Sequence, residues 1–312
     1  MQASGPCDTS SEHVHILLGT FNGAAWLEAQ LESFLAQTHR DWSLWISDDG
    51  STDGTSALLR DFAAAHPDRV ARILDGPRKG SAANYLHLMC HPDLPVRGIV
   101  ALSDQDDVWM PDKLARALTY LRRCGDAPCV WAARYLITDA DLAGTQESES
   151  WPRAPSLRNA VVQNILSGHT LTFNAAALQI LRQAGPQPVP HHDWWIYLLL
   201  SATGARIRFD PGIVLRYRQH TDNTMGTRLR PRSRLKRAQA LFGGRLRDWM
   251  DVNLHALERA PVSLTPEAAH LLRSWPGAGR WTRLRLLREL GIHRQSRVET
   301  LMIYLAVAAG RV

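Results

Sequence analysis

Leu102-Ser103-Asp104-Gln105-Asp106-Asp107-Val108-Trp109-Met110-Pro111 is the stretch whose reading decides the fold. An apolar run, Gly98 to Leu102, leads into it and has the length and composition of a buried strand. Pro111 opens a helical pattern of Leu114, Ala117, Leu118 and Leu121, and proline is tolerated in a first turn because its missing N–H would be unpaired anyway. Three carboxylates therefore stand at the C-terminal end of a strand, in the short link before a helix. That edge is where open α/β sheets place ligands. Anions this close repel one another, and a bound cation relieves the repulsion. Carboxylate oxygens suit Mg²⁺ or Mn²⁺, which also take phosphate oxygens as ligands. The alternative is a solvated acidic loop with an aspartate at a helix N-cap.

Upstream, the same strand-to-helix unit repeats. Val14 to Gly19 reads as a strand, Thr20-Phe21-Asn22-Gly23 as turn chemistry, and Trp26, Leu27, Gln30, Leu31, Phe34 and Leu35 as an amphipathic helix ending near Gln37. Trp42 to Ser47 is a second strand running into Asp48-Asp49-Gly50-Ser51. A helix through Leu58, Leu59 and Phe62, a strand from Val70 to Leu74, and a helix opened by Lys79-Gly80-Ser81 complete the half. Alternation at this spacing predicts an α/β fold with a mostly parallel sheet covered on both faces.

Three polar strand ends then converge: Thr20-Phe21-Asn22, Asp48 to Ser51, and Asp104 to Asp107. A pyrimidine offers an N3–H to a carboxylate, a ribose offers hydroxyls, and a diphosphate needs the metal. Neither a Gly-x-Gly-x-x-Gly fingerprint nor a Gly-Lys-Ser/Thr phosphate loop stands at these ends, which argues against NAD and ATP.

ILLGTFNG, WISDDGSTDGT and LSDQDDVWMPDKL, in that order and spacing, resemble the nucleotide-binding half of family-2 glycosyltransferases with the GT-A (Rossmann-like) fold. The likeness covers residues 14 to about 123. It implies that Thr20, Phe21, Asn22, Asp49, Lys79 and Asp104 bind the nucleotide, with Asp49 accepting from N3–H and Asp104 near the ribose and metal. It implies Asp106 as the metal-ligating acid.

Downstream, Cys129 to Tyr135 reads as a strand and Asp139 to Gly144 as a turn. Gln146 to Leu157, broken by Pro152 and Pro155, is expected to be a mobile loop. In the family the segment Asn164 to Asn174 lines the acceptor side, which assigns Gly168 and His169 there; taken alone, a single histidine is more often packed in the core than a ligand. His191-His192-Asp193-Trp194-Trp195 opens an apolar helix, so Asp193 reads as an N-cap. It also resembles the Glu/His-Asp-Trp signature of inverting members, where the aspartate is the general base and Trp194 belongs to the acceptor side; a helix start favours an anion there. Arg216 to Gly226 follows a strand-like run, Gly212 to Leu215. It reads as a basic surface loop, or as a segment closing on the diphosphate with Arg218 facing phosphate and His220 the metal. YRQHTDNTMG resembles rhamnosyltransferase-like members, which points to dTDP-L-rhamnose; uracil shares thymine's N3–H, so Asp49 cannot separate dTDP from UDP.

The 312 residues are 45% hydrophobic, enough for one large α/β domain and an appendage. The expected organisation is a disordered 1–12, a catalytic domain over 13–228, and a basic α-helical region over 229–312. Net charge is +6 and the excess is concentrated at 228–247 and 280–297, which suggests an anionic partner surface. Helices near 233–258 and 280–309 mix Leu, Trp and Phe with dense Arg. Either they lie in a membrane interface or their apolar faces pack on the catalytic domain or on a second subunit. Four cysteines without CxxC pairing or zinc spacing are expected to be reduced thiols of a cytosolic protein. No secretory signal and no run long enough to span a bilayer is visible. The resemblance implies a dTDP- or UDP-sugar donor, a lipid-linked or glycan acceptor, peripheral association with the inner face of the cytoplasmic membrane, and no nucleic acid. A sugar-nucleotide nucleotidyltransferase is a rival reading, disfavoured by the absence of a Gly-rich, Arg-bearing N-terminal loop. An inactive scaffold subunit is another.

Overall fold

The computed structural model describes residues 12–144, 146–220 and 244–312. The expected boundary at 228/229, the distal half of the Arg216 to Gly226 segment, and all but the last residue of the expected disordered N-terminus lie outside them. Strands β1 (Val14–Thr20), β2 (Trp42–Asp48), β3 (Val70–Asp75) and β4 (Ile99–Ser103) alternate with helices α1 (Leu27–Leu35), α2 (Thr55–Ala65) and α3 (Ser81–Met89). After them come β5 (Val108–Trp109), α4 (Lys113–Leu121), β6 (Cys129–Thr138), β7 (Gln146–Glu147), α5 (Leu157–Ala160), β8 (Thr172–Asn174), α6 (Ala175–Ala184), α7 (His192–Ala202) and β9 (Arg206–Arg218).

All these strands join one sheet in the order β3-β2-β1-β4-β8-β6-β9-β5, with β7 on the side of β6. β3, β2, β1, β4, β6 and β9 run one way, and β8, β5 and β7 run against them. Strand alternation splits the apolar residues into two cores. Val14, Ile16 and Leu18 face one side with Leu44, Ile46 and Ala101, under α1 and α4. Leu17, Val100 and Leu102 face the other, under α3, α6 and α7. Burial on both faces is why these strands are nearly continuous apolar runs rather than alternating ones. The register sets Thr20 opposite Asp48 and Leu18 opposite Ser103, so the three polar strand ends share one edge.

Several local expectations are corrected. Pro111 does not open α4; residues 108–109 pair with β9 through Val108–Arg216 and Trp109–Leu215, which keeps the chain extended up to Met110. β9 is longer than the Gly212 to Leu215 run, because Pro211-Gly212 is absorbed as an irregularity in its pairing with β6. The 146–157 segment, expected to be mobile, is tied down: the Trp151 indole donates to the Ile165 carbonyl, Arg153 N–H to the Gln295 side chain, and Ser156 N–H to the Tyr197 hydroxyl. Cys124 and Cys129, expected as thiols, are joined in a disulfide across the turn at Gly125; Cys90 is free.

The C-terminal region forms α8 (Arg245–Arg259), α9 (Pro266–Ser274), α10 (Arg280–Glu289) and α11 (Arg297–Ala308). Thr265 caps α9 by accepting from Ala268 N–H, with Pro266 in the first turn, as its sequence suggests. Met250, Leu254, Leu257, Leu271, Trp275, Leu287 and Ile303 join the same core as α7. Most of the apolar surface of these helices therefore shares the core of the α/β half. Among the described residues no helix is long and apolar enough to cross a membrane.

Candidate active site

The shared strand edge opens into a cleft of about 2040 Å³. Thr20, Phe21, Asn22, Asp49, Lys79, Asp104, Asp106, Gly168, His169, Asp193, Trp194 and His220 all line it. Sequence positions separated by up to two hundred residues are thus brought to one place; of the expected site residues, Arg218 alone is not on its wall.

The side expected to hold the nucleotide is built by side chains that satisfy loop backbone. Asp48 accepts from the Thr20 hydroxyl at 2.8 Å and from Ser51 N–H at 2.9 Å. Asp49 accepts from the backbone N–H of Arg78 at 2.6 Å and of Gly80 at 2.7 Å, so each carboxylate oxygen already steadies the loop that carries exposed Lys79. Each oxygen keeps a second lone pair for a ligand donor. Asn22, at φ 48°, accepts from Thr52 N–H. Gln105 is a feature that sequence reading passed over. Its amide accepts from Phe21 N–H and donates to the Phe21 carbonyl, tying the β1 and β4 ends together and leaving the Phe21 ring 54% exposed.

The acidic stretch is graded, not a solvated loop: the side chains of Asp104, Asp106 and Asp107 are 36%, 13% and 0% exposed. Asp104 accepts from the Tyr85 hydroxyl at 2.7 Å and lies 3.4 Å from His169 Nδ1. Desolvation raises its pKa, but the hydrogen bond and charge of His169, with Tyr85, outweigh this and hold it at about 2. Asp106 lies 2.8 Å from His220 Nε2, and that ring stacks on Trp26. Burial and the neighbouring Asp104 push Asp106 up, with His220 opposing. Asp107 is fully buried, its oxygens have no hydrogen-bond partner among the described residues, and burial drives it up to about 8. Below it sits Lys113, also fully buried, donating to the His169 carbonyl at 2.6 Å with its ammonium 3.3 Å above the Trp109 ring. Burial pulls this lysine well below its usual range, with Asp107 and Asp104 opposing.

One placement follows the core alternative and one differs from expectation. His169 is buried under the acids at the base of the cleft wall, with Nδ1 3.4 Å from both Asp104 and Asp107. Arg218, expected on the diphosphate, is 5% exposed; its Nε donates to the Asp106 carbonyl, another nitrogen to the Ala140 carbonyl, and its guanidinium lies over Trp26. Its Nε thus supports the backbone of the acidic stretch at Asp106.

Helix α7 forms the opposite wall. Of its eleven residues only Asp193 is not buried, and a helix that is apolar all round belongs in a core. Asp193 Oδ1 accepts from Trp194 N–H at 2.7 Å. Trp194 is 4% exposed and its indole donates to the Ala160 carbonyl, so it anchors the helix more than it faces the cleft. Tyr85, which holds Asp104, also stacks on His192 with ring centres 4.2 Å apart, linking the acids to the residue before Asp193. A side chain at Gly168 would lie 2.6 Å from His192 Nε2, so this turn fits only without one.

A sequence model described as Glycosyl transferase family 2 matches residues 16–183. The chain belongs to this family. It is 27% identical over 230 residues to the dTDP-rhamnosyl transferase RfbG of Shigella flexneri, covering 70% of this chain and 77% of that protein. Its fold resembles the TarS 1–349 structure from S. aureus in complex with UDP-GlcNAc, with a TM-score of 0.56 at 11% identity, over 95% of this chain and 81% of that one. It also resembles the mannosyltransferase PcManGT of Pyrobaculum calidifontis in complex with GDP-Man and Mn²⁺, with a TM-score of 0.51 at 21% identity, over 98% and 90% of the two chains. The fold is therefore a mixed α/β GT-A sheet with a helical C-terminal region.

Proposed function

We propose that the chain is a metal-dependent inverting glycosyltransferase that moves L-rhamnose from dTDP-L-rhamnose to a lipid-linked or glycan acceptor of a bacterial surface polysaccharide. The carrying observation is that Asp193, the one unburied residue of α7, faces the same cleft as Asp49, Asp104 and Asp106. Rhamnose as the sugar is supported by the likeness to RfbG. A UDP-sugar donor is the second reading, favoured by the likeness of the fold to TarS in complex with UDP-GlcNAc.

Asp106 and His220 would hold Mg²⁺ or Mn²⁺. They offer a carboxylate oxygen and an imidazole nitrogen at the cleft, a donor set that fits, with the imidazole leaning toward Mn²⁺. Asp104, Asp107 and His169 also place ligand atoms within 4.8 Å of one another. That second set fits less well, because Asp107 is sealed from solvent and burial pushes its carboxyl up to about 8, away from the ionised form a metal needs. When bound, the metal supplies positive charge where the departing diphosphate gathers negative charge. Asp49 accepts the base N3–H, and Thr20, Phe21, Asn22 and Lys79 frame the nucleotide. Asp193 takes the proton of the acceptor hydroxyl as that oxygen attacks the anomeric carbon from the face opposite the diphosphate.

Asp193→Asn keeps the shape of the side chain and removes the base. Transfer should fall by ~10²-fold or more with donor affinity unchanged; an equal loss of donor binding would make Asp193 a structural or binding residue. Asp106→Ala should abolish metal-stimulated turnover of the donor, and full turnover in EDTA would overturn the metal assignment.

A further inference from the structure

Helices α10 and α11 form a hairpin whose inner faces are closed. The Tyr304 hydroxyl reaches the Leu287 and Ile292 carbonyls at 3.2 and 3.1 Å, and Leu286, Leu287, Ile303, Ala306 and Val307 are buried. The outer side is different. Val298, Leu301 and Leu305, spaced i, i+3, i+7 on one face of α11, are 68%, 58% and 54% exposed, and Trp281 on α10 is 64% exposed. These four are half of the eight large hydrophobic side chains that the described residues expose. Single exposed apolar residues are ordinary, but a row on one helix face needs an occupant.

The charges that the same segment exposes select that occupant. Arg285, Arg288, Arg297 and Arg311 are exposed and have no carboxylate partner among the described residues, while Arg280 lies over the Trp281 ring at 5.3 Å. The acids of the hairpin are engaged elsewhere: Glu289 with His270 and Glu299 with Arg294. A second copy of the chain would bring arginines against arginines across a two-fold axis. A nucleic acid would use the arginines and leave the aliphatic row in water. A bilayer with anionic headgroups satisfies both, taking the row into its acyl boundary and the guanidiniums at its phosphates. We propose that the outer face of the α10–α11 hairpin docks on an anionic lipid surface, with α11 lying in its plane. At twelve residues α11 is too short to span. The proposal does not rest on the glycosyl-transfer reading.

The test is co-sedimentation of the full chain with phosphatidylglycerol-containing vesicles and with pure phosphatidylcholine vesicles, at low and high salt. Expected is binding to the anionic vesicles that salt reverses. Leu301→Ser/Leu305→Ser should abolish it, and each of Arg285→Ala and Arg288→Ala should weaken it about fivefold, the equivalent of about 1 kcal/mol per basic residue at an anionic surface. These positions are exposed, and an unchanged thermal melt checks that the variants fold. Wild-type binding by the double-serine variant would place the contact elsewhere and overturn the proposal. So would equal binding to both vesicle types. Absence of vesicle binding together with a dimer in light scattering that Leu301→Glu dissolves would assign the face to a second copy instead.

Discussion

Lys113 and Asp107 make the sharpest stability prediction. Both are completely buried in the layer under the acidic stretch; Asp107 is the main opposite charge acting on Lys113, while Asp107 has His169 Nδ1 at 3.4 Å as its stronger partner and Lys113 as a weaker one. Lys113→Met keeps the stem packed beside Trp109 and removes the ammonium. That change loses a charge-assisted hydrogen bond to the His169 carbonyl, 2.6 Å long and about 1.5–3 kcal/mol in kind. It also leaves Asp107, whose oxygens have no hydrogen-bond partner among the described residues, with His169 as its one remaining positive neighbour among those that act on it. Removing one partner of a buried pair typically costs about 3–5 kcal/mol, a large share of the roughly 5–15 kcal/mol available to a domain. Asp107→Leu alone should cost a similar amount, because it strands the lysine. The double variant should recover at least about 2 kcal/mol relative to the sum of the singles. Urea unfolding followed by tryptophan fluorescence reads all three at constant slope. Singles that each cost less than about 1 kcal/mol, or a double variant equal to their sum, would refute the pairing.

Further predictions follow from the cleft and from one buried histidine. Asp49→Ala should raise the KM for the donor and weaken dTDP and UDP alike, because both bases carry N3–H; titration calorimetry with the two diphosphates checks it, and a purine diphosphate binding the wild type better than either would remove Asp49 from the base pocket. His15 is held down at about 4 by burial, with His13 adding repulsion. Below its ordinary range of about 6.5 the unfolded chain takes up a proton that the folded chain refuses. Stability should therefore fall as pH drops from about 6.5 to 4, by at most about 3 kcal/mol. His15→Gln should flatten that limb in denaturation curves across the window, and an unchanged slope would show that His15 does not control it.

What was legible in the sequence is what local periodicity encodes. Val14 to Thr20, Trp42 to Asp48 and Ile99 to Ser103 are apolar runs ending in polar residues, so both the strands and the edge they share could be placed without coordinates. What escaped depends on pairing between distant segments. β5 is a two-residue strand that exists only because β9 lies beside it. His169 meets Asp104 and Asp107 across a long stretch of chain, and no local pattern announces that contact. Lys113 did carry a signal: it shares the spacing of Ala117 and Leu121 on the buried stripe of α4, where a lysine needs a counter-charge. Arg218 escaped because a basic residue near a diphosphate site reads as a ligand, whereas carbonyl acceptors behind the acidic loop hold it inward. The apolar faces of the C-terminal helices left two readings open. Burial against α7 assigns most of that surface to the core and leaves only the outer side of the last hairpin exposed.

Glycosyl transfer itself is tested most directly by incubating the full chain with dTDP-L-rhamnose, UDP-hexoses, UDP-N-acetylhexosamines and GDP-mannose, with Mn²⁺ or EDTA, and identifying the released product. Expected is Mn²⁺-dependent release of dTDP from dTDP-L-rhamnose, faster than release from any other donor and absent in Asp106→Ala. Failure to release a nucleoside diphosphate from any donor, or release of pyrophosphate from a nucleoside triphosphate and a sugar phosphate, would contradict it.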